Sequence, residues 1–360
     1  MMVKKTYTVR FTTPAFLGDA EQNGAWRTPP FKALLRQWWR VAAAKSHGYD
    51  SARLREAEGR LFGNAWLENN FSQSQVRLRL DRWQAGTLNQ WPIPDPTVTH
   101  PKVTNPAGNP RPVGSHLYLG YGPLNFGQGN TRLKANAAIQ VNEHAQLTTI
   151  FPDSLALIDI FQLIHWFGAL GGRSRNGWGS FLLENSSETD ALQGLDKLNQ
   201  HNPILKEIAR PLSECLQKDW PHALGKSENG KLLIWKTTNS FPNWRDAMKE
   251  LARVKIAFRT ALCFSPDRKN RVDQRHLLAY PVTHHNFNPW GTKSRIANQL
   301  RFKVIIENQQ WVGIAYHLPC AISGELLNAL LPNDRKWINQ QQLSTWQTVH
   351  QKLDAEMQRI

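Results

Sequence analysis

Ten consecutive residues, 171-GGRSRNGWGS-180, hold four glycines, two arginines and a tryptophan. Those types in that spacing suit an anion. Glycine reaches φ > 0 and permits close backbone approach, so Gly171, Gly172, Gly177 and Gly179 allow a tight loop whose N–H groups can cradle phosphates. Arg173 and Arg175, with Ser174 between them, add donors, the arginines as forks that match phosphate oxygens. Trp178 offers a face on which a base can stack. The plainer reading is a helix stop at Gly171 followed by an ordinary turn, and the string alone leaves both open.

A second constellation is Lys32, Arg36 and Arg40, spaced i, i+4, i+8 on one helix, with Trp39 at the edge of the stripe. Such a stripe is either a solvated flank or an RNA contact. Acid–base chemistry has weaker candidates. His47 follows the basic helix, and His284 and His285 lie near Lys293; a histidine paired with Lys, Tyr or Ser is what a metal-independent endoribonuclease needs. Twelve histidines in 360 residues make chance neighbours common, and no catalytic residue is assigned. Asp19 could assist a cleavage, but no carboxylates cluster for a two-metal site. His100, His116 and Tyr121 read more simply as loop residues than as ligands. Cys215, Cys263 and Cys320 are far apart and form no C-x-x-C pair, so neither a zinc site nor a disulfide framework is expected. No metal and no cofactor is expected.

The charge says what the partner should be. Lys and Arg number 44 against 28 Asp and Glu, a net +16 with pI near 10, which favours a polyanion. Up to Glu184 there are 20 basic and 12 acidic residues and after it 24 and 16, so each part carries +8. This is no detachable basic tail. No basic amphipathic helix with a wide apolar face and no bilayer-length apolar run is present, and MMVKKTYTVRF has no leader-like apolar stretch, so the expectation is a cytoplasmic protein with no membrane partner.

Elements must hold these residues in place. Lys5 to Thr12 alternates with Tyr7, Val9 and Phe11 inward, a half-buried strand. Thr28 as N-cap and Pro29 at the first helical position open a helix with Phe31, Leu34, Leu35, Trp38 and Ala42 on its core face. A second helix from Ser51 to Leu61 stops at 62-FGN-64, with Gly63 as its cap. Gln75 to Asp81 alternates again, with Arg77 and Arg79 outward. Seven prolines between Trp91 and Pro112 predict an excursion outside the core, one that cannot pair in a sheet interior. Gln146 to Phe151 predicts a strand, Pro152 to Leu170 a helix carrying Leu155, Ile158, Phe161 and Phe167, and Trp178 to Glu184 a strand after the glycine loop. This order predicts a ferredoxin-like (RRM-like) α+β domain over residues 1–184, with long loop insertions. After 185-NSSETD-190, strands are expected at Lys231 to Thr237, 276-HLLAYPV-282, 299-QLRFKVII-306 and 311-WVGIAYHL-318. Helices are expected at Asn243 to Leu262, Ile322 to Leu331 and Trp337 to Arg359. They predict a second, degenerate ferredoxin-like domain over 185–360.

Three stretches together carry a resemblance: 16-FLGDAEQNGAWRTPPFKALLRQWWR-40, 61-LFGNAW-66 and 166-WFGALGGRSRNGWGS-180. They resemble RAMP-superfamily proteins of CRISPR systems, and among these the family of first subunits of the Cmr (type III-B) effector complex. The resemblance covers roughly the first half; the second is matched by length, strand pattern and the basic 293-KSRIANQLRF-302. It implies two ferredoxin-like domains and a place in an antiviral ribonucleoprotein beside other RAMP subunits. The implied role is non-catalytic, holding the 3′ part of the guide RNA and helping to capture target RNA. Carried onto this chain, the family's basic helix falls on Lys32, Arg36 and Arg40 and its glycine loop on Gly171 to Gly179. Segments 91–112 and 283-THHNFNPWGTKS-294 have no counterpart in that pattern. Related RAMP proteins process guide precursors, so the endoribonuclease remains the alternative, with a purely structural capping subunit as a third.

Overall fold

A computed structural model describes the chain except residues 66–70, 154–156, 186–191, 263, 266–268 and 284, and leaves out the side chains of 158 and 185. Trp66, Leu155, Cys263, His284 and almost all of the 185–190 linker therefore lie outside the described residues. Strand β1 (Met2–Phe11) buries Tyr7, Val9 and Phe11 as its alternation requires. Helices α1 (Thr28–Ala43) and α2 (Ser51–Phe62) follow, then β2 (Arg77–Leu80). The chain next leaves the sheet for two hairpins, β3 (Thr97–Thr104) with β4 (Pro110–Gly114) and β5 (Leu124–Gly127) with β6 (Asn130–Leu133), separated by α3 (Ser115–Gly120). It returns as β7 (His144–Pro152), α4 (Leu157–Phe167) and β8 (Phe181–Asn185).

The strands β2, β7, β1 and β8 lie side by side in that order, every pair antiparallel. Val9 stands opposite Ala145 on one side and Leu183 on the other, and all three are buried on the face that α1 and α4 cover. The second half runs through α5 (Pro203–Ile208), β9 (Ala209–Pro211), α6 (Leu212–Cys215) and β10 (Leu224–Lys226). It then forms β11 (Ile234–Lys236), α7 (Trp244–Ala261), α8 (Gln274–Leu278), β12 (Leu300–Glu307), β13 (Gln310–His317), α9 (Gly324–Asn328), α10 (Pro332–Glu356) and β14 (Gln358–Arg359). Its antiparallel sheet has the order β12, β13, β11, β14. In both sheets the strands in chain order sit as second, third, first, fourth, with a long helix after the first strand and another after the third.

Strands β12 and β13 are buried almost throughout because both their faces are covered. Ile305, Ile314 and Tyr316 pack toward the first half, where the Tyr316 ring lies 4.8 Å from that of Phe167 and 6.1 Å from that of Trp38. Leu300, Phe302, Val304 and Ala315 face the other way, into the core shared with α7 and α10. Direct bonds tie the halves: Thr12 Oγ1 donates to Val304 O at 2.6 Å, and Val304 N donates to Ser180 Oγ at 3.0 Å. The buried Lys303 Nζ donates to the carbonyls of Ile164 and His165, the open C-terminal end of α4, and burial holds its pKa well below the ordinary lysine value.

Several expectations change. The segment 276–282 is no strand: Gln274–Leu278 is a short helix, and only Tyr280 bridges, to Ile296. The proline-rich excursion stays out of both four-stranded sheets, as expected, and adds a separate two-stranded hairpin in which every strand is an edge and a missing N–H is tolerated. The C-terminal helix stops at Glu356, and Gln358–Arg359 adds the outer strand of the second sheet. Helix α1 begins one residue earlier than its cap signal, with Arg27 at the N-cap and no side-chain cap bond.

Candidate nucleic-acid interface

Helix α1 turns Phe31, Leu34, Leu35 and Trp38 into the core, which leaves the i, i+4, i+8 stripe on the flank facing α2. There Glu58 of α2, 4% exposed, accepts from both arginines. Arg40 donates through Nε at 2.6 Å and through a terminal nitrogen at 2.7 Å, and Arg36 donates through Nε to the same carboxylate. Burial alone would raise the Glu58 pKa, but hydrogen bonds from Arg40 and Arg36 outweigh it and hold the carboxyl below its ordinary value. Lys32 donates to Ser74 Oγ at 3.1 Å, and partial burial, then the charge of Arg36, lower its pKa. One carboxylate thus organises two guanidinium groups, with Lys32 held beside them by Ser74, and the Arg36 and Arg40 side chains stay 35% and 43% exposed. Trp39 corrects the expectation: at 7% exposure it sits edge-on to Phe62 in the core and offers no stacking face.

The glycine loop is a packing device more than an open cradle. The N–H of Gly172 donates to Phe16 O at 2.9 Å and that of Gly179 to Pro14 O at 2.8 Å. Those of Ser174 and Gly177 bond within the loop, to Gly171 O at 3.3 Å and Ser174 O at 3.2 Å. At Gly171, with φ +92°, a Cβ would come within 2.5 Å of Phe16 O, and at Gly179, with φ +65°, it would overlap Leu170 O. Trp178 is fully buried among Phe16, Trp91, His116 and Trp244, its ring centroid 5.3 Å from that of Trp91 and 5.5 Å from that of Phe16. No base can stack on it in this arrangement. Gly177 is likewise buried, while Gly171 and Arg173 are exposed and Gly172, Ser174 and Arg175 half-buried. Arg173 Nε donates to Tyr121 O at 2.7 Å. Arg175 turns away from Arg173, toward the second half, where it donates to Asn298 O at 3.3 Å.

The stripe and the loop are therefore two separate cationic features, each built by local helix or turn geometry. The remaining candidates are held in structural roles. His47 Nδ1 bonds Ala43 O at 2.8 Å at the end of α1. Asp19 accepts the N–H groups of Glu21 at 3.0 Å and Asn23 at 2.8 Å, closing its own turn. His285 stacks on Phe264 at 3.8 Å. His116 is no loop filler: it is fully buried, 3.5 Å from an Asp95 oxygen, and burial pushes its pKa down to about 4 despite that carboxylate. His100 Nδ1 accepts from Lys102 N at 3.2 Å, and Tyr121 is 66% exposed.

Sequence reasoning missed Glu58, although its spacing four residues from both Leu54 and Phe62 sets it on the buried face of α2, apart from Glu56. It also missed the exposed aromatics Phe71 and Trp83, at 72% and 56%. Arg301 carried a readable signal: alternation in 299–306 sets Arg301 and Lys303 on one face against Leu300, Phe302 and Val304 on the other.

No family model matches the sequence, and no curated protein matches it. Among the described residues no helix is long and apolar enough to cross a membrane. Solved structures do match. Over 94% of its length the chain is similar to Cmr1 from Pyrococcus furiosus in its apo form, at 15% identity and TM-score 0.44 with 96% of that chain covered. Over 94% it is likewise similar, at 12% identity and TM-score 0.45, to a chain of the Type III-B Cmr-beta complex bound to cognate target RNA, which is covered completely.

Proposed function

We propose that this chain is a non-catalytic RNA-binding subunit of a type III-B CRISPR ribonucleoprotein, holding the 3′ part of the guide RNA and helping to capture target RNA beside other RAMP subunits. The reading divides the chain into two ferredoxin-like units, residues 1–184 and 185–360, and the common strand order of the two sheets supports it. Three motifs in the order of that family support the placement, and a net +16 spread over both halves supports the polyanion. The observation that carries the proposal is the pair of half-exposed guanidinium forks of Arg36 and Arg40, fixed side by side on one buried carboxylate with Lys32 beside them. Pre-ordered forks of this kind hold phosphates and leave sequence to base pairing. With Trp39 and Trp178 in the core, contact runs through phosphates at Lys32, Arg36, Arg40, Arg173 and Arg175 more than through stacking.

The test is binding of labelled single-stranded RNA across a salt series by the full chain and by the Arg36→Ala/Arg40→Ala variant, with the RNA then run on a denaturing gel. The variant should bind more weakly, and the slope of log affinity against log salt should shrink by about 1.4 for two lost phosphate contacts. Unchanged affinity and slope, or metal-independent cutting that one histidine substitution abolishes, would overturn the proposal.

A further inference from the structure

Between the glycine loop and the start of β12 lies a cleft of about 180 Å³ whose walls include Arg175, Arg295, Arg301, Asp219, Asn298 and Cys320. The two halves build it together: Phe302 N donates to Arg175 O at 3.0 Å, which clamps the end of the loop against β12 and sets the Arg175 side chain beside Arg301. Arg301 is 5% exposed, and its guanidinium bonds the Tyr316 hydroxyl, which itself donates to Phe167 O at 2.8 Å. Its Nε is buried without a partner. Among the described residues none of the three arginines is ion-paired. Arg295, at the exposed rim, is held by the carbonyls of Thr292 and Ser294 at 2.6 and 2.8 Å.

Two like-charged guanidinium groups share a half-dry site, one with an orphaned donor, and neither has an ion-pair partner among the described residues. Burial, then the charge of Arg301, pushes the Arg175 pKa down to about 10, which leaves it cationic at neutral pH. The Cys320 thiol, pushed up to about 11 by burial, stays neutral and supplies no negative charge. The single carboxylate on the wall, Asp219, accepts from Gly324 N at 3.4 Å and leaves the lining net positive.

We propose that this cleft is a binding site for a phosphate group, with Arg301 and Arg175 as its inner forks and Arg295 as its rim contact. Its volume is below the roughly 300–1,000 Å³ of sites that enclose whole drug-sized ligands, so it takes one phosphate with part of the attached sugar. It uses none of the α1 stripe and does not rest on that surface binding RNA.

The test is calorimetric titration of the full chain with inorganic phosphate at constant ionic strength. One saturable site is expected, weakened roughly tenfold or more in Arg301→Gln, as loss of a charged hydrogen-bond partner implies. Arg295→Ala, an exposed change that leaves the core untouched, should weaken it several-fold, and Arg36→Ala/Arg40→Ala should leave it intact. Adenosine monophosphate and a single-stranded RNA without terminal phosphates then compete for the bound phosphate. Displacement by the mononucleotide alone assigns a terminal phosphomonoester, and displacement by the RNA assigns a backbone phosphodiester. No saturable binding, equal binding by Arg295→Ala and wild type, or displacement by neither competitor overturns the site.

Discussion

Glu58 accepts from both Arg36 and Arg40 while itself almost fully buried, so its charge organises the candidate interface without lying on it. Replacing it with glutamine keeps the volume and removes the charge. Because a third or more of each arginine side chain is exposed, the loss is discounted for solvent screening to roughly 1–2 kcal/mol at pH 7. Its folded pKa lies below the ordinary 4.5, so its contribution is full above that value and disappears as pH falls through the folded value. Urea denaturation should therefore show Glu58→Gln less stable than wild type at pH 7, with the gap closing below pH 4.5. A gap that persists into acid would mean that packing, and not the charge pair, was lost.

At the scale of the element, the loop after α4 shows how a glycine-rich string can serve packing. Its glycines answer to Phe16 and Pro14, more than 150 residues earlier in the chain, so composition alone reads as an open cradle. Gly179→Ala meets two obstacles, a left-handed φ of +65° and the carbonyl of Leu170. Gly108→Ala, at φ +81° with nothing within 4 Å of a Cβ, meets only the first. Gly108→Ala should cost about 1 kcal/mol, the cost of a left-handed backbone, and Gly179→Ala several times that, with strain added from a displaced carbonyl. Thermal denaturation of the two variants separates a packed loop from a merely turned one; equal losses would show that the close approach is not needed.

For the whole molecule, the sheet of the second half lies between the helices of the first and its own, and each of the two cores on its faces holds residues of both halves. They should unfold together. Buried histidines add an acid sensitivity: burial holds His116 down to about 4, and His165 and His350 down to about 3 each. All three lie below the unfolded value of 6.5, so stability is full above pH 6.5 and falls as pH drops, because only the unfolded chain takes up the protons. Each contributes roughly 1.4 kcal/mol per pH unit below 6.5, up to about 4 kcal/mol for the three between pH 7 and 5.5. Tryptophan fluorescence in urea should show one transition at both pH values, with its midpoint lower at pH 5.5; two transitions would mean that the halves are independent.

The alternation of β1, the strand runs of β12 and β13, the amphipathic face of α1, the Gly63 stop and the i, i+4, i+8 stripe were legible in the residues, because each is a local pattern set by neighbouring residues and the backbone's own repeat. So was the net positive charge of both halves, since charge needs no fold. The sequence misread 276–282 as a strand because a short apolar run suits a buried helix turn equally well. It set Trp39 and Trp178 at a surface because nothing local says which large ring lies inward. Glu58 beneath two arginines, Lys303 on the end of α4, and Arg175 beside Arg301 join residues 18 to 139 positions apart. Only the tertiary structure decided those pairings, since a charge finds its partner across space and no period along the chain records the distance.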